Sequence, residues 1–253
     1  MIEGKPFTPT LGQRSASDRS SAWVHRKGWL QRLYTFLLKR VIYPLLLRLE
    51  VEGMERIPGK GPAILAMNHI SFLDPVLMVS LPERKVVAMA KAENMAHPIL
   101  GRLSRAFDAF PVRRGEVDRR ALRTAMEVLQ AGGLLLIAPE GTRSPTGQLQ
   151  QGRDGLAFIA TRARVPIVPV GIDGSDRFKV NIRRLRRTPV RVVFGEPFSL
   201  ETEGRADRAA LARMTDEVMR HIARLLPPER RGVYRDSLER LSAPDTPGAE
   251  KRP

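Results

Sequence analysis

The sequence predicts an α/β fold, a single domain whose mostly parallel or mixed sheet is flanked by helices. Short continuous apolar runs, such as residues 62–67 and 134–138, are typical of strands that are buried on both faces of a sheet. Between such runs, segments such as residues 118–130 carry apolar side chains at helical spacing. With 253 residues and 42% hydrophobic content, the chain can bury a sizeable core. No internal repeat or second domain is evident.

Composition divides the chain into four stretches. Residues 1–20 are polar, lack the apolar core of a signal peptide and are expected to form a mobile N-terminal tail. Residues 21–49 are predicted to be helical and residues 50–226 to form the α/β domain. The mixed-charge residues 227–253 are expected to form a mobile C-terminal tail.

The stretch 21–49 interleaves aromatic and basic side chains. It holds both tryptophans of the chain, Trp23 and Trp29, and two of its three tyrosines. Its longest uncharged run, residues 41–47, is far shorter than the ~20 residues that a spanning helix needs. We therefore expect an amphipathic helical segment that lies on the cytoplasmic face of the cell membrane. The pattern fits equally a basic helix packed on its own domain, and both interpretations stay open.

Net charge and cysteine content limit the classes of function. The formal charge of +16 favours an anionic partner, which can be nucleic acid, anionic lipid or a phosphorylated small molecule. Most of the 43 basic residues are Arg, the side chain suited to bidentate phosphate contacts. The absence of Cys excludes disulfides, a thiolate nucleophile and Cys-ligated metal. The four His residues lack zinc-binding spacing, so no metal site is expected.

The first candidate for chemistry is the polar stretch at residues 68–75, which follows the apolar run 62–67. Ser71 and Asp74 match a capping box, and Asp74 with the proline after it is typical of a helix start. On one unbroken helix, His69 and Asp74 would point about 140° apart. A strand-to-helix corner allows Asp74 to fold back onto one imidazole nitrogen, which leaves the other free as a general base. The alternative is purely structural, a His after a strand and an Asp that caps a helix.

A second polar loop follows the next clear strand. The apolar run at residues 134–138 leads directly into Glu140, Gly141, Thr142 and Arg143. Ligands bind at the carboxyl ends of parallel strands, so this loop and the His69 loop are both candidate site elements. The sequence further predicts strands at residues 85–90, 165–170 and 190–194, and helices at residues 98–106, 155–163 and 207–226. The prolines around residues 165–170 suit an edge position or a strand start.

Four blocks stand in order along the chain: Asn68-His69-x-x-x-x-Asp74, Phe110-Pro111-Val112-Arg113-Arg114, Glu140-Gly141-Thr142-Arg143-Ser144 and Val165-Pro166-Ile167-Val168-Pro169. This ordered set resembles the glycerolipid acyltransferase family, specifically its bacterial lysophosphatidic acid acyltransferases. The resemblance covers roughly residues 50–200.

The resemblance implies a role for each matching residue. His69 would be the general base and Asp74 would orient it. Arg114 would contact the substrate phosphate, and the block Glu140, Gly141, Thr142 and Arg143 would bind the acceptor. The family usually has glycine where this chain has Asp108, so the choice between Arg113 and Arg114 stays open. Arg153 stands where the family often has Lys, which makes it a further candidate for phosphate binding.

The implied reaction moves a fatty acyl group from acyl-CoA or acyl carrier protein to the free hydroxyl of 1-acylglycerol 3-phosphate (lysophosphatidic acid). Because the chain has no Cys and no Gly-x-Ser-x-Gly elbow, direct transfer in a ternary complex is the simpler mechanism. No cofactor is expected beyond the thioester co-substrate, and an anionic membrane surface is the expected partner. Glycerol 3-phosphate or another lysophospholipid is an alternative acceptor. A basic nucleic-acid-binding protein is the alternative from another class, although an aromatic/Arg RNA-binding signature is missing. The oligomeric state stays open.

Overall fold

The structure, a computed structural model, describes residues 28–96, 98–113, 118–202, 204 and 206–242. The strands are β1 (Leu47–Glu52), β2 (Ala63–Met67), β3 (Val86–Lys91), β4 (Phe110–Val112), β5 (Leu134–Ile137), β6 (Ile167–Asp173) and β7 (Thr188–Phe194). The helices are α1 (Trp29–Leu37), α2 (Tyr43–Leu46), α3 (Leu73–Ser80), α4 (Ala92–Ala96), α5 (Pro98–Ala106), α6 (Arg119–Gln130), α7 (Gly155–Ala163), α8 (Phe178–Arg183), α9 (Arg208–Arg224) and α10 (Arg235–Ser242).

The strands form one seven-stranded sheet in the order β1-β7-β6-β2-β5-β3-β4. All neighbouring pairs are parallel except β6 and β7, which are antiparallel. The carboxyl ends of β2, β3, β5 and β6 therefore lie at the same edge of the sheet as the amino ends of β1 and β7. We call this edge the site edge.

Alternate residues along the buried strands supply two apolar layers. On β2, Ile64 and Ala66 pack with α6, α7 and α9 on one face. Ala63, Leu65 and Met67 face the opposite layer, which includes α3 and the end of α2. Because helices cover both faces, the strands are continuous apolar runs instead of alternating ones. The predicted single α/β domain with a mixed sheet is confirmed.

The N-terminal helical segment ends earlier than the predicted residue 49. α1 and α2 are joined by a π-helical turn at Leu38–Ile42, and the chain becomes strand β1 at Leu47, which is 1% exposed. The predicted end of the helical segment at residue 49 was wrong, because Leu47 continues the uncharged run of the helix although it is the first residue of β1. Trp23 lies outside the described residues. No helix among those described is long and apolar enough to cross a bilayer.

Polar contacts attach this segment to the domain. The Nε2 atom of Gln31 donates to the Ala106 carbonyl at 2.6 Å and to the Asp108 carboxylate at 2.8 Å. Lys39 donates to the Leu81 carbonyl at 2.6 Å. The Asp108 carboxylate also forms an ion pair with Lys85, with Oδ2 and Nζ 2.7 Å apart. The backbone φ of Asp108 is +54°. These contacts show where the helical segment is held, and they leave much of its apolar surface exposed.

The strand rich in proline is central in the sheet, so of its two predicted positions the edge was wrong and the strand start holds for Pro166. β6 lies between β2 and β7. Pro166 immediately precedes the strand, as a strand-start proline should. Pro169 is tolerated inside β6 because the pairing with β7 begins only at the next residue, where Val170 faces Phe194.

The predicted C-terminal tail is partly folded, so the boundary at residue 227 was wrong. Tyr234 and Leu238 are 6% and 4% exposed and belong to the core. The Arg230 side chain donates to Asp173 at 2.7 Å and to Asp176 at 3.0 Å. A mixed-charge composition suggested mobility, whereas two apolar side chains and one ion-paired Arg are sufficient to hold this stretch against the sheet.

Tyr43 provides a test of how the helical segment is held. It is 3% exposed, and its hydroxyl lies 2.6 Å from that of Ser80. Burial raises the pKa of Tyr43 to about 12, above its ordinary value of 10.0. The folded protein therefore keeps this proton at a pH where the unfolded chain loses it. The stability that results is fully present below pH 10 and is lost as the pH rises towards 12.

We expect Tyr43→Phe to lower the free energy of unfolding by about 1 kcal/mol at pH 8, because the hydrogen bond to Ser80 is lost. Between pH 8 and pH 11, the wild-type free energy of unfolding should fall by about 1 kcal/mol more than that of the variant. Urea unfolding at both pH values measures the two differences. Identical losses in the two proteins would contradict the role of Tyr43.

Candidate active site

The two residues paired by the sequence meet at the corner between β2 and α3. The Nδ1 atom of His69 lies 2.9 Å from Oδ2 of Asp74. The Asp74 side chain is fully buried, and that of His69 is 15% exposed. Because the carboxylate can only accept, we assign the imidazole proton to Nδ1, which leaves Nε2 as a proton acceptor. This is the geometry of a carboxylate-oriented general base.

The corner is folded by the Asp74 carboxylate itself. Its Oδ2 accepts from the backbone N–H groups of Ile70 and Ser71, both at 2.7 Å. Only half of the predicted capping box forms: Asp74 accepts from the Ser71 N–H, but α3 begins at Leu73, so Asp74 lies within its first turn. From there its carboxylate reaches back over the preceding loop. The Ser71 hydroxyl instead accepts from the Leu73 N–H at 3.3 Å.

Ser175 completes the environment of Asp74, and sequence reasoning did not identify it. Its hydroxyl donates to Asp74 Oδ1 at 2.5 Å, and the residue is fully buried. Ser175 follows β6 and Gly174, whose φ is +82° and whose backbone approaches that of Pro189. The only sequence signal was a Gly-Ser pair directly after an apolar strand.

Asn68 ties the His69 loop to the neighbouring strand. Its side-chain amide donates to the Ile172 carbonyl at 2.8 Å, and its oxygen accepts from the Ile172 N–H at 2.7 Å. The side chain is 2% exposed, so this two-way contact is shielded from water. Asn68 therefore fixes the end of β2 against β6, immediately before the catalytic candidate.

Glu140 acts on the same loop from the other side. Its Oε1 accepts from the backbone N–H of His69 at 2.9 Å, and Oε2 accepts from the backbone and side chain of Gln150 at 3.0 and 3.2 Å. The residue is 2% exposed, and burial raises the pKa of its carboxyl. The predicted contact with substrate phosphate is corrected: both oxygens are turned onto protein donors, and a carboxylate would repel a phosphate. Glu140 positions His69.

A cavity of about 390 Å³ opens beside His69 at the site edge. Its wall is mainly apolar, and the residues that line it are Met67, His69, Phe72, Pro75, Val76, Val79, Ala88, Met89, Ala90, Lys91, Ser104, Phe107, Ala109, Leu136, Ala138, Thr142 and Arg143. Such a concave, apolar space with few polar groups suits a ligand that has an apolar body and a polar end.

Two cations line this cavity together with His69. Arg143 and Thr142, both exposed, come from the loop after β5, as the sequence predicted. Lys91 comes from the end of β3 and lies 3.3 Å from Glu93. Lys91 was missed because a single Lys at a strand end carries no motif. An anionic group in the cavity would meet two cations, Arg143 after β5 and Lys91 at the end of β3.

The other predicted phosphate contacts that the structure describes do not line the cavity. The Gly141 N–H donates to Ala138 at 3.0 Å, and the φ of Gly141 is +70°. A Cβ at Gly141 would lie 2.8 Å from the Arg153 side chain, so Gly141 supports a turn beside Arg153. Neither Arg113 nor Arg153 lines the cavity. Arg114 lies outside the described residues, and its phosphate contact stays a prediction.

Comparison with known proteins agrees with this arrangement. A family model described as "Acyltransferase" matches residues 48–173. The matched range runs from β1 to the end of β6, and it contains the His69–Asp74 pair and the loop with Glu140 and Arg143. A domain of the acyltransferase family therefore occupies residues 48–173 of the chain.

The individual proteins that resemble this chain are more specific than the family model. The chain is 31% identical to a chloroplastic 1-acyl-sn-glycerol-3-phosphate acyltransferase of Arabidopsis thaliana over 54% of this chain and 38% of that one. It is 24% identical to the Bacillus subtilis protein of the same activity over 74% of this chain and 92% of that one. The crystal structure of the lysophosphatidic acid acyltransferase from Thermotoga maritima matches with a TM-score of 0.59 and 27% identity, over 85% and 80% of the two chains. Five plant proteins named 1-acyl-sn-glycerol-3-phosphate acyltransferase match, the Arabidopsis thaliana protein among them, and the chain spans only 38% to 65% of their lengths.

We predict that Ser175→Ala lowers acyltransferase turnover about tenfold to a hundredfold while KM for both substrates stays unchanged. The reason is that a charge-assisted hydrogen bond to Asp74, worth about 1.5–3 kcal/mol, is lost without touching a substrate. Steady-state kinetics as a function of pH measures kcat, KM and any shift of the acidic limb, where a general base becomes protonated.

The matched control is Ser80→Ala, which removes another fully buried serine hydroxyl at the far end of α3. Ser80→Ala should affect stability more than turnover. A Ser175→Ala enzyme with raised KM and unchanged kcat would show that Ser175 does not act through Asp74.

Proposed function

We propose that this protein transfers a fatty acyl group from an acyl thioester to the free hydroxyl of 1-acylglycerol 3-phosphate, which gives phosphatidic acid. The observation that carries the proposal is the His69–Asp74 pair at a cavity that is apolar inside and lined by Arg143 and Lys91. The relatives' names, which specify 1-acyl-sn-glycerol-3-phosphate as acceptor, support it.

In the proposed reaction, His69 Nε2 removes the proton from the acceptor hydroxyl as its oxygen attacks the thioester carbon. Asp74 stabilises the imidazolium that forms. The tetrahedral intermediate collapses, the carbon–sulfur bond breaks, and the departing thiolate takes the proton back from His69. Charge balances at each step, and no residue of the chain becomes acylated. The absence of Cys from the sequence agrees with this direct route.

The site supplies a separate environment for each part of the lipid substrates. Met67, Val79, Phe107 and Leu136 give the cavity an apolar wall that suits a fatty acyl chain. Arg143 and Lys91 attract the acceptor phosphate, which holds its hydroxyl beside His69. The acyl chain of the substrate is thus bound by burial of apolar surface, and its phosphate is bound by charge.

Approach to the acceptor requires a membrane surface, because a monoacylated lipid resides in the bilayer. We propose that the helical segment 29–46 provides contact with anionic lipid. Its exposed side chains include Trp29 at 77%, Phe36 at 59% and Leu45 at 65%. Aromatic and apolar side chains beside the exposed Arg32 and Arg40 suit the headgroup region. A location on the cytoplasmic face of the membrane remains part of this proposal.

The direct test is an acylation assay with purified protein, labelled acyl-CoA or acyl carrier protein, and a panel of acceptors. We expect 1-acylglycerol 3-phosphate to be acylated faster than glycerol 3-phosphate or lysophospholipids with blocked phosphates. Preference for glycerol 3-phosphate would keep the chemistry and replace the acceptor. The acyltransferase family match over residues 48–173 favours this activity over the nucleic-acid-binding alternative. The panel also decides between the two donors.

We predict that His69→Ala abolishes transfer and that Asp74→Asn reduces it by about 10⁴-fold, the loss seen when a triad carboxylate is neutralised. In both variants the base is removed or misoriented. His221→Ala is the matched control, because His221 stacks on Phe198 at 3.9 Å and is remote from the cavity residues. Near-normal transfer by a folded His69→Ala enzyme would rule out this mechanism.

For Arg143→Ala we predict that KM for the acceptor rises about tenfold to a hundredfold, as expected when a charge-assisted contact to phosphate is lost. KM for acyl-CoA should change much less. The control is Arg162→Ala, which removes an equally exposed Arg from the end of α7. If donor and acceptor KM rise together, Arg143 does not serve as the acceptor's phosphate contact.

A further inference from the structure

The stretch at residues 178–187, which comprises α8 and the loop after it, exposes apolar side chains. Val180 is 51% exposed, Ile182 is 39% exposed and Leu185 is 96% exposed. We call this stretch the α8 patch. Exposed large apolar residues grouped in this way mark a contact surface.

The same patch is strongly basic. Lys179, Arg183, Arg184 and Arg186 are all exposed, and within the part of the chain that the structure describes none of them forms an ion pair with a carboxylate. No acidic residue occurs between residues 177 and 191. The surface therefore presents uncompensated positive charge around its apolar side chains.

The patch lies at the site edge, between the active site and the helical segment 29–46. Phe178 packs edge-to-face on Phe72, a cavity residue, with ring centroids 5.8 Å apart. At the other end of the patch, Arg187 donates to the Leu47 carbonyl at 2.7 Å, where the helical segment joins β1. A planar surface that touches the helical segment and the cavity mouth would meet the α8 patch as well.

The backbone at Leu185 adds a second observation. Its φ is +50°, a left-handed conformation that disfavours residues with a bulky side chain. In the described structure this unfavourable backbone directs an apolar side chain entirely into solvent. Burial of Leu185 in an apolar medium would offset both costs.

We propose that the α8 patch is a second bilayer contact, in which Val180, Ile182 and Leu185 enter the headgroup region of an anionic leaflet and the surrounding cations meet lipid phosphates. The alternation of apolar and basic side chains favours lipid over a soluble polyanion, because a soluble polyanion would leave the apolar side chains exposed. The inference rests on the proposed function only in that the acceptor is a membrane lipid. Two separate bilayer contacts beside the cavity mouth would fix the orientation of the enzyme on the bilayer.

Vesicle flotation of the full chain without substrates tests the proposal. With phosphatidylcholine vesicles that contain phosphatidylglycerol, we expect Leu185→Asn to bind about tenfold more weakly than the wild type. Because Asn tolerates the left-handed backbone, this variant should be as stable as the wild type or more so. Leu185→Met keeps an apolar side chain and should bind like the wild type. Equal binding by all three proteins would overturn the proposal.

The charge component has its own variant pair. Arg183→Gln with Arg184→Gln should weaken binding to the anionic vesicles about thirtyfold at low salt, since each basic residue near such a surface contributes about 1 kcal/mol. Arg162→Gln with Arg164→Gln removes equal charge at the opposite edge of the sheet and should have a much smaller effect. The difference should vanish in high salt and on vesicles of phosphatidylcholine alone. Equal losses in the two pairs would mean that net charge alone drives binding and would overturn the proposal.

A fluorescent label reports depth directly. The chain has no Cys, so Leu185→Cys creates a unique attachment point for an environment-sensitive dye. Its emission should shift to the blue on anionic vesicles, while a label at Gln130→Cys, on the opposite edge, should not shift. No shift at position 185 would overturn the proposal.

Two further arms separate this inference from its alternatives. The double variant Trp29→Ser with Phe36→Ser tests the helical segment 29–46. In this variant, the blue shift of a dye at position 185 should become smaller but should persist. Transfer assayed in detergent micelles should be unchanged by the α8 patch variants. If these variants raise KM for acyl-CoA in micelles while vesicle binding is intact, the patch binds the donor and the proposal fails. Failure of the wild type to acylate 1-acylglycerol 3-phosphate would refute the proposed function but leave the flotation result standing.

Discussion

The buried carboxylate of Asp74 is the interaction on which the site depends. A charge that is fully removed from water is tolerated only when hydrogen-bond donors surround it. Here four donors converge: the imidazole of His69, the N–H groups of Ile70 and Ser71, and the hydroxyl of Ser175. Together they come from the loop after β2 and the turn after β6. The carboxylate that contacts the imidazole therefore also joins these two segments.

Glu140 and Asn68 extend this arrangement to the other strands. Glu140 fixes the backbone N–H of His69 from the loop after β5, and Asn68 fixes the end of β2 to β6. The Ser144 N–H donates to the His69 carbonyl at 2.8 Å, so both backbone groups of His69 are held. The imidazole is therefore the only part of His69 left to interact with a ligand. Preorganisation of this kind lets a base act without a reorganisation cost during the reaction.

Much of this was accessible from sequence because local patterns encode it. The apolar runs identified the buried strands, and Asp118 was expected at the start of α6, where it now accepts from the N–H of Ala121. Ser175 and Lys91 were inaccessible because their roles depend on which strands become neighbours, and strand order is a long-range property. The edge assignment of β6 failed for the same reason. The C-terminal boundary failed because composition does not reveal that Tyr234 and Leu238 complete an apolar layer.

The pairing of β1 with β7, which are far apart in the sequence, affects the order in which the molecule assembles. The Arg187–Leu47 contact joins residues 140 positions apart, and β1, an edge strand of the sheet in the described residues, pairs with β7. During synthesis the helical segment leaves the ribosome long before its strand has a neighbour, and such distant pairings form slowly because chain entropy must first be lost. Apolar side chains such as Trp29 and Phe36 are consequently available to a bilayer or a chaperone before the sheet is complete.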